Sequence, residues 1–346
     1  MVDDQVGRPL TQTSGEVQVR VSVITEPEIR ELVGPADAVA AVRQALVQLA
    51  RGEAIMPEPS EMDMADVRGD MHVKGAYLSG APYFSYKAAS GFYDNPARGL
   101  PVNAGLVLVF DAQTGFPSAI LFDNGYLTDL RTGAAGAVAA DLLARPRVGR
   151  VAILGAGVQA RRQLEMLLQV RQPADVSVWA RRPEQAAGYA SEMTGALGVA
   201  VTVAESARAA VDGADIVVTT TPSREPLVSA AWFGPGQHIT AVGADLPDKQ
   251  ELDPALFAAA DKVVVDSLAQ ALRSGDTHHA VQAGLLDAAA IHAELGQVAA
   301  GSRPGREHDA ELTIADLTGL GVQDAAMANL VAAKLAQAGA GQVIEI

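Results

Sequence analysis

The sequence contains no cysteine among its 346 residues, which excludes disulfides, thiolate catalysis and cysteine-built zinc sites. It is also short of positive charge: 26 Lys and Arg stand against 41 Asp and Glu, a formal net charge of −15 at pH 7. That field attracts neither nucleic acid nor an anionic membrane, so neither is expected as a main partner. No apolar run approaches the length of a membrane span, and Asp3 and Asp4 have no apolar run behind them. Without a membrane span or signal peptide, a cytoplasmic protein is expected. The adjacent His278 and His279 lack acidic partners at ligand spacing, so no metal is assigned. No G-x-S-x-G nucleophile turn occurs either. What is present is an ordinary globular composition, 49% hydrophobic, long enough for two domains.

The first 16 residues are polar and without periodicity, and are expected to form a flexible extension with no assigned function. Val17 to Ile24 alternates as a strand does, and Thr25 followed by Glu28 has capping-box spacing for a short helix. Pro35 opens a longer helix over Ala36 to Arg51. Four short strand-like runs follow, His72 to Leu78, Tyr83 to Ala88, Leu106 to Phe110 and Ala119 to Leu121, separated by turn residues. They predict an antiparallel sheet in an α+β domain. From Val151 the pattern changes to short apolar strands alternating with helices, the mark of a doubly wound parallel sheet. The expected division is a Rossmann dinucleotide-binding domain over 132–311 and a discontinuous α+β domain over 17–131 and 312–346. In that division Leu312 to Ile346 returns to the first domain.

The stretch Val151-Ala152-Ile153-Leu154-Gly155-Ala156-Gly157-Val158-Gln159-Ala160 reads as a buried strand turning through glycines into a helix over Arg161 to Val170. In a G-x-G-x-x-A turn the first glycine permits the bend and the second lets backbone N–H groups approach a pyrophosphate. The alanine lets helix and strand pack closely. Helix N-terminal charge then favours the phosphates. Glycines in such a turn can also be purely structural, but the flanking strand and helix favour a dinucleotide site here. Gly155, Gly157, Val158 and Gln159 are therefore assigned to the cofactor, with Thr132. Thr220, Thr221, Pro222 and Gly243 join them because they end strands on the same sheet edge. Cofactor choice turns on the residues after Trp179. They are Ala180, Arg181 and Arg182, with no carboxylate among them, and Asp175 lies at the wrong end of its strand. This favours NADP(H), with NAD(H) as the alternative. On the other reading, Arg181 and Arg182 are a solvated helix start before Pro183.

Hydride transfer needs groups that hold a charged substrate and move a proton. Lys87 lies within the apolar run Tyr83 to Ala89, where a buried ammonium must meet either a ligand carboxylate or a protein acid. The planar fork of Arg131 suits bidentate capture of a carboxylate, with a salt bridge to Asp123 or Asp129 as the plainer alternative. Asp245, following Gly243 at a strand end, is placed to relay a proton, or else simply pairs with Lys249. His72, Lys74 and Glu61 cluster in sequence as a secondary group.

These residues carry a family signature. The run Phe122-Asp123-Asn124-Gly125-Tyr126-Leu127-Thr128-Asp129-Leu130-Arg131-Thr132-Gly133-Ala134-Ala135-Gly136 resembles the ornithine cyclodeaminase/μ-crystallin family. So do the glycine turn, Gly243-Ala244-Asp245 with Lys249 and Glu251, and Asp316-Leu317-Thr318-Gly319. The likeness leans to ectoine-utilisation and iminosuccinate-reductase-like members, through the Asp-Asn-Gly-Tyr-Leu-Thr and Thr-Gly-x-Gly-Val-Gln-Asp stretches. The resemblance implies a homodimer built through the discontinuous domain, and hydride chemistry between a small amino acid and its imine. Lys87 and Arg131 match the family's substrate-carboxylate and catalytic positions, and Asp245 its catalytic aspartate. Cyclodeaminase members release ammonia and recycle the cofactor, and crystallin-like members suggest a non-catalytic NADP-binding protein as a further alternative. One departure is visible. Many members carry an arginine shortly after Met-Pro, where Met56-Pro57-Glu58-Pro59-Ser60-Glu61 offers only acids. Lys74, at a place usually methionine in cyclodeaminases, is the candidate to restore that charge for substrate binding, and ornithine is correspondingly disfavoured.

Overall fold

Thr25 closes the first long strand, β1 (Arg20–Thr25), and opens α1 (Glu26–Leu32), because Glu28 turns back to it. The Thr25 N–H and hydroxyl both donate to Glu28 Oε2, at 2.8 and 2.7 Å. The computed structural model describes residues 19–339 and 341–346, together with the backbone of 12–13 and 16–17. The extension expected over 1–16 lies outside the described residues, apart from that short backbone ladder. The chain divides into two units, Met1–Arg131 with Leu320–Ile346, and Thr132–Gly319.

In the first unit α2 (Pro35–Ala50) is followed by β2 (Ala54–Ile55), β3 (Ser60–Met64), β4 (Gly69–Leu78), β5 (Tyr83–Phe92), β6 (Asn103–Asp111) and β7 (Pro117–Phe122). The C-terminal strand Gln342–Glu345 borders β1, and the sheet continues through β7, β6, β5 and β4 to β2, with β3 also on β4. β3 is an addition to the expected strands: its acid-rich sequence hides the alternation that pairs Glu61 with His72. Successive register partners Ile24, Leu121, Val107, Lys87 and Lys74 share one sheet face. The C-terminal helix Gly321–Ala338 packs on β4, β5 and α2. The opposite face carries Tyr86, Leu108, Ile120 and Val23 in one register row, Tyr86 exposed and the other three half-buried. Phe84 and Phe110 stack beside them at 5.1 Å.

The division between units falls inside α3 (Tyr126–Leu143). The second unit then runs through β8 (Arg150–Leu154), α4 (Val158–Leu167), β9 (Asp175–Trp179), α5 (Pro183–Leu197), β10 (Val201–Val203) and β11 (Ile216–Thr219). It continues with β12 (Arg224–Val228), β13 (His238–Ala241), β14 (Gln250–Leu252), β15 (Lys262–Val265), β16 (Ala293–Glu294) and β17 (Thr313–Asp316). The main sheet has the order β10-β9-β8-β11-β13-β17-β15-β16, every pair parallel, while β12 and β14 form a small parallel pair of their own. Both faces are covered. Ala152, Leu154, Val217 and Ile239 belong to one core cluster and Val151, Ile153, Val176 and Val218 to the other. That double burial is why these strands read as unbroken apolar runs.

One expectation is corrected here. The run beginning at Leu312 does not return to the first unit but forms β17, between β13 and β15, with Thr313, Ile314, Ala315 and Asp316 all buried. The second unit therefore extends to Gly319, beyond the expected end at Glu311. A four-residue strand with a polar residue at each end carries too little periodicity to reveal its sheet.

Candidate active site

In the first unit the charges converge on a residue the sequence reading had not singled out, Asp324. Lys87 Nζ donates to Asp324 Oδ1 at 3.0 Å and to Thr128 Oγ1 at 3.1 Å. Arg131 Nε lies 3.2 Å from the same carboxylate oxygen, and Arg131 NH1 donates to Gln323 Oε1 at 3.0 Å. All three ionised side chains are under 10% exposed. Asp324 sits in the first turn of the C-terminal helix, where the dipole favours an anion. That turn can lie against β4 because Gly321 has no side chain: a Cβ there would stand 2.7 Å from the Gly75 carbonyl oxygen.

Burial alone would raise the Asp324 carboxyl, but the Lys87 and Arg131 charges outweigh it and hold it below the usual carboxylate range. Burial likewise lowers Lys87, to about 8, with Asp324 opposing the fall and Arg131 and Lys74 adding to it. Lys74 is half-buried directly opposite Lys87 in the ladder. Of the two partners expected for Lys87, a ligand carboxylate or a protein acid, the fold supplies the second in Asp324. The plainer reading of Arg131 pairs it with Asp123 or Asp129, but its partners in the protein are Asp324 and Gln323. Asp123 instead accepts the Leu127 N–H at 3.0 Å, at the start of α3.

In the second unit α4 starts at Val158, three residues earlier than expected, so Gly157 becomes its N-cap. Gly155 has φ +124°, and a Cβ there would stand 2.3 Å from Thr220 Oγ1, which makes glycine obligatory. Gly157 differs: among the described residues a Cβ there would meet nothing within 4 Å, leaving open space above the helix N-terminus. This is the approach a pyrophosphate needs, so the residues present fit a dinucleotide. Arg161, not anticipated from the sequence, draws back the turn's carbonyls, donating to Ala156 and Gly157 at 2.7 and 3.0 Å. Val158 is exposed and Gln159 half-buried in the first helical turn. The Thr132 carbonyl accepts from Gln163 at 3.0 Å.

The Gly155 N–H donates to the Trp179 carbonyl, which brings the end of β9 beside the turn. Arg181 and Arg182 follow it, both exposed and without an ion-pair partner among the described residues. Thr220 and Thr221 are half-buried at the end of β11 and Pro222 is exposed. Gly243 is packed so closely on Thr221 that a Cβ would stand 2.2 Å from the Thr221 carbonyl oxygen. Asp245, just beyond, is exposed and pairs with Lys249 at 2.6 Å, the plainer of its two sequence readings.

A parallel doubly wound sheet, a glycine turn open at a helix N-terminus, and a separate unit holding buried cations define a dinucleotide-dependent enzyme of the Rossmann type. Residues 19–339 match the description of the ornithine cyclodeaminase/mu-crystallin family, and the chain belongs to that family. It is 44% identical over 327 residues to an uncharacterized cyclodeaminase of Sinorhizobium fredii, covering 94% of this chain and 99% of that protein. Among solved structures it resembles an archaeal alanine dehydrogenase dimer with bound NAD, at 37% identity, TM-score 0.89 and coverage of 94% and 99% of the two chains. It also resembles the iminosuccinate reductase of Paracoccus denitrificans in complex with NAD+, at 33% identity, TM-score 0.89 and coverage of 94% and 100%. The oxidoreductase reading and the α/β fold agree with these relatives. The described residues include no helix long and apolar enough to cross a membrane.

Proposed function

We propose that the protein is an NAD(P)-dependent oxidoreductase that interconverts a small α-amino acid and its imine. The observation that carries this reading is the buried group of Lys87, Arg131 and Asp324, two cations sharing one internal carboxylate. Arg131 and Lys87, with Lys74 opposite, hold the substrate carboxylate. A Lys87 amine poised near pH 8 can also take a proton from the substrate ammonium or return one to the product. A dinucleotide held in the second unit would supply the hydride chemistry at the substrate Cα. Asp245 serves as a proton relay, freed from Lys249 when substrate is present. Gly155, Gly157, Val158, Gln159, Thr132, Thr220, Thr221, Pro222 and Gly243 form the dinucleotide site.

The relatives with bound cofactor carry NAD. For this chain we infer a preference for NADP(H), because two unpaired guanidiniums follow β9 where an NAD site would have a carboxylate. The Tyr86, Leu108, Ile120 and Val23 face supports a homodimer, since an open apolar sheet face is a liability for a solitary chain. The test is a spectrophotometric screen of NADH and NADPH against keto acids with ammonia or methylamine, and against cyclic ketimines, with ammonia release assayed in parallel. Net oxidation of NAD(P)H is expected, faster with NADPH. Ammonia release from ornithine or lysine without net change in NAD(P)H would establish a cyclodeaminase instead, the second reading that the Sinorhizobium relative favours. Dinucleotide binding with no turnover across the panel would establish a non-catalytic binding protein.

A further inference from the structure

Glu251, in β14, is fully buried and has no ion-pair partner among the described residues. Its carboxylate accepts four hydrogen bonds, from Thr219 Oγ1, Thr221 N, Thr221 Oγ1 and Gly243 N, at 2.5 to 2.8 Å. Two donors fall on each oxygen, which fills the acceptor positions of an ionised carboxylate. The donors come from the ends of two strands, β11 and β13. Thr221 and its neighbour Thr220 are the residues packed on Gly155 of the dinucleotide turn. One side chain therefore joins two strand ends at the edge where Rossmann ligands lie, and the glycine turn packs on one of them.

Three acids stand nearest on the elements packed behind Glu251. Asp276, in the short helix Asp276–Gln282, accepts the Glu251 and Leu252 N–H groups through Oδ1, both at 2.8 Å. Its Oδ2 is buried with no hydrogen-bond partner among the described residues. Beyond it Asp316, ending β17, accepts the Thr277 N–H at 2.7 Å, and Asp266, following β15, accepts from Thr318 Oγ1 and Gly319 N. In the same short helix His279 bonds to the Lys249 carbonyl, and the Lys249 ammonium is taken by Asp245.

We propose that Glu251 is a positioning residue for the dinucleotide: it holds the ends of β11 and β13 as one platform, and the platform is intact only while this carboxyl is ionised. The inference rests on the dinucleotide reading above. A proton on Glu251 must occupy a position now filled by a donor. The Thr221 and Gly243 N–H groups cannot reverse, so a threonine hydroxyl has to turn round and the charge-assisted bonds to both amides weaken. Burial pushes the Glu251 carboxyl up to about 7, its four donors opposing the rise, so the change falls within the working range of pH.

The test is the affinity of the full-length protein for NADH between pH 6 and 9, read by ligand fluorescence, with Tm recorded alongside. NADH is the probe because its pyrophosphate does not titrate there, whereas the 2′-phosphate of NADPH does. For the wild type, Kd is expected to be about tenfold weaker at pH 6 than at pH 8. Glu251→Gln should bind at least about tenfold more weakly at pH 8 and show no pH dependence, because its amide nitrogen must face either the Thr221 or the Gly243 N–H. Thr219→Val removes one donor to the carboxylate and should move the midpoint of the wild-type profile to higher pH. A purely structural glutamate would lower Tm and affinity without moving that midpoint. A pH-independent wild-type Kd, or Glu251→Gln binding like wild type, overturns the proposal. If Glu251→Gln fails to fold, an unmoved midpoint in Thr219→Val overturns it. Failure of the wild type to bind NADH or NADPH at any pH overturns the dinucleotide reading itself.

Discussion

Lys87 and Asp324 define each other. Breaking a buried ion pair from one side leaves an unpaired charge, at a cost of about 3–5 kcal/mol. Asp324→Asn should therefore destabilise the protein by that order in denaturant unfolding. Removing the carboxylate that raises Lys87 should also shift the limb of the pH–rate profile from near 8 to lower pH. In the reductive direction, where Lys87 returns a proton, turnover should fall as pH rises through that limb, because the ammonium is the donor. Lys87→Met should cut kcat by about 10²-fold or more while leaving the dinucleotide Kd within about twofold of wild type. Unchanged turnover would remove Lys87 from the chemistry. The need for an acid beside Lys87 was legible in the sequence, from a lysine inside an apolar run. Its identity was not, because Asp324 lies 237 residues further on and pairing across that separation is set by packing. The signal that could have found it is the Gly-Val-Gln-Asp stretch, in which an acid follows a glycine at a helix start.

At the scale of single elements, the strand–turn–helix from β8 to α4 was readable because each part has its own local cause: apolar run, glycine bend, amphipathic helix. Its two glycines are expected to behave differently. Gly155→Ala places a Cβ 2.3 Å from Thr220 Oγ1 at a positive φ, and should lower both Tm and dinucleotide affinity. Gly157→Ala meets nothing and has an ordinary φ of −85°, so Tm should hold while dinucleotide Kd weakens markedly. If Kd is unchanged in Gly157→Ala, the phosphates do not approach that N–H. β17 was misplaced for the opposite reason: a short strand is assigned to a sheet by its neighbours. β13 and β15 are its neighbours only in three dimensions.

For the whole molecule, the pattern of charges matters more than their sum. Glu251 is raised to about 7 and Asp316 to about 6, and Asp276 and Asp123 are raised too, in each case chiefly by burial. A carboxyl with a raised folded-state value contributes stability that is full below its unfolded value, near pH 4, and is lost as pH rises through its folded value. Between pH 5 and 7.5 His238, buried neutral and pushed down to about 3, acts against these four, while the carboxyls that are held low, Asp324 among them, titrate below that window. Thermal unfolding should therefore give a lower Tm at pH 7.5 than at pH 5, and the reverse order would contradict this account. The exposed sheet face gives a second expectation. On the proposed homodimer, Tyr86→Glu should shift sedimentation velocity towards monomer without unfolding the protein, since Tyr86 is already 38% exposed; an unchanged sedimentation coefficient would remove this face from the proposed interface.

The carboxyls gathered at the edge of the parallel sheet also bear on how a ligand would be found. Acidic buffer suits the bare protein, because the buried acids keep their protons, but it loosens the platform that Glu251 ties together. Alkaline buffer does the opposite, giving a softer protein that gains more from what it binds. A thermal-shift screen run where this protein is most robust would under-read its own cofactor, and the same library at pH 8 should show the larger response.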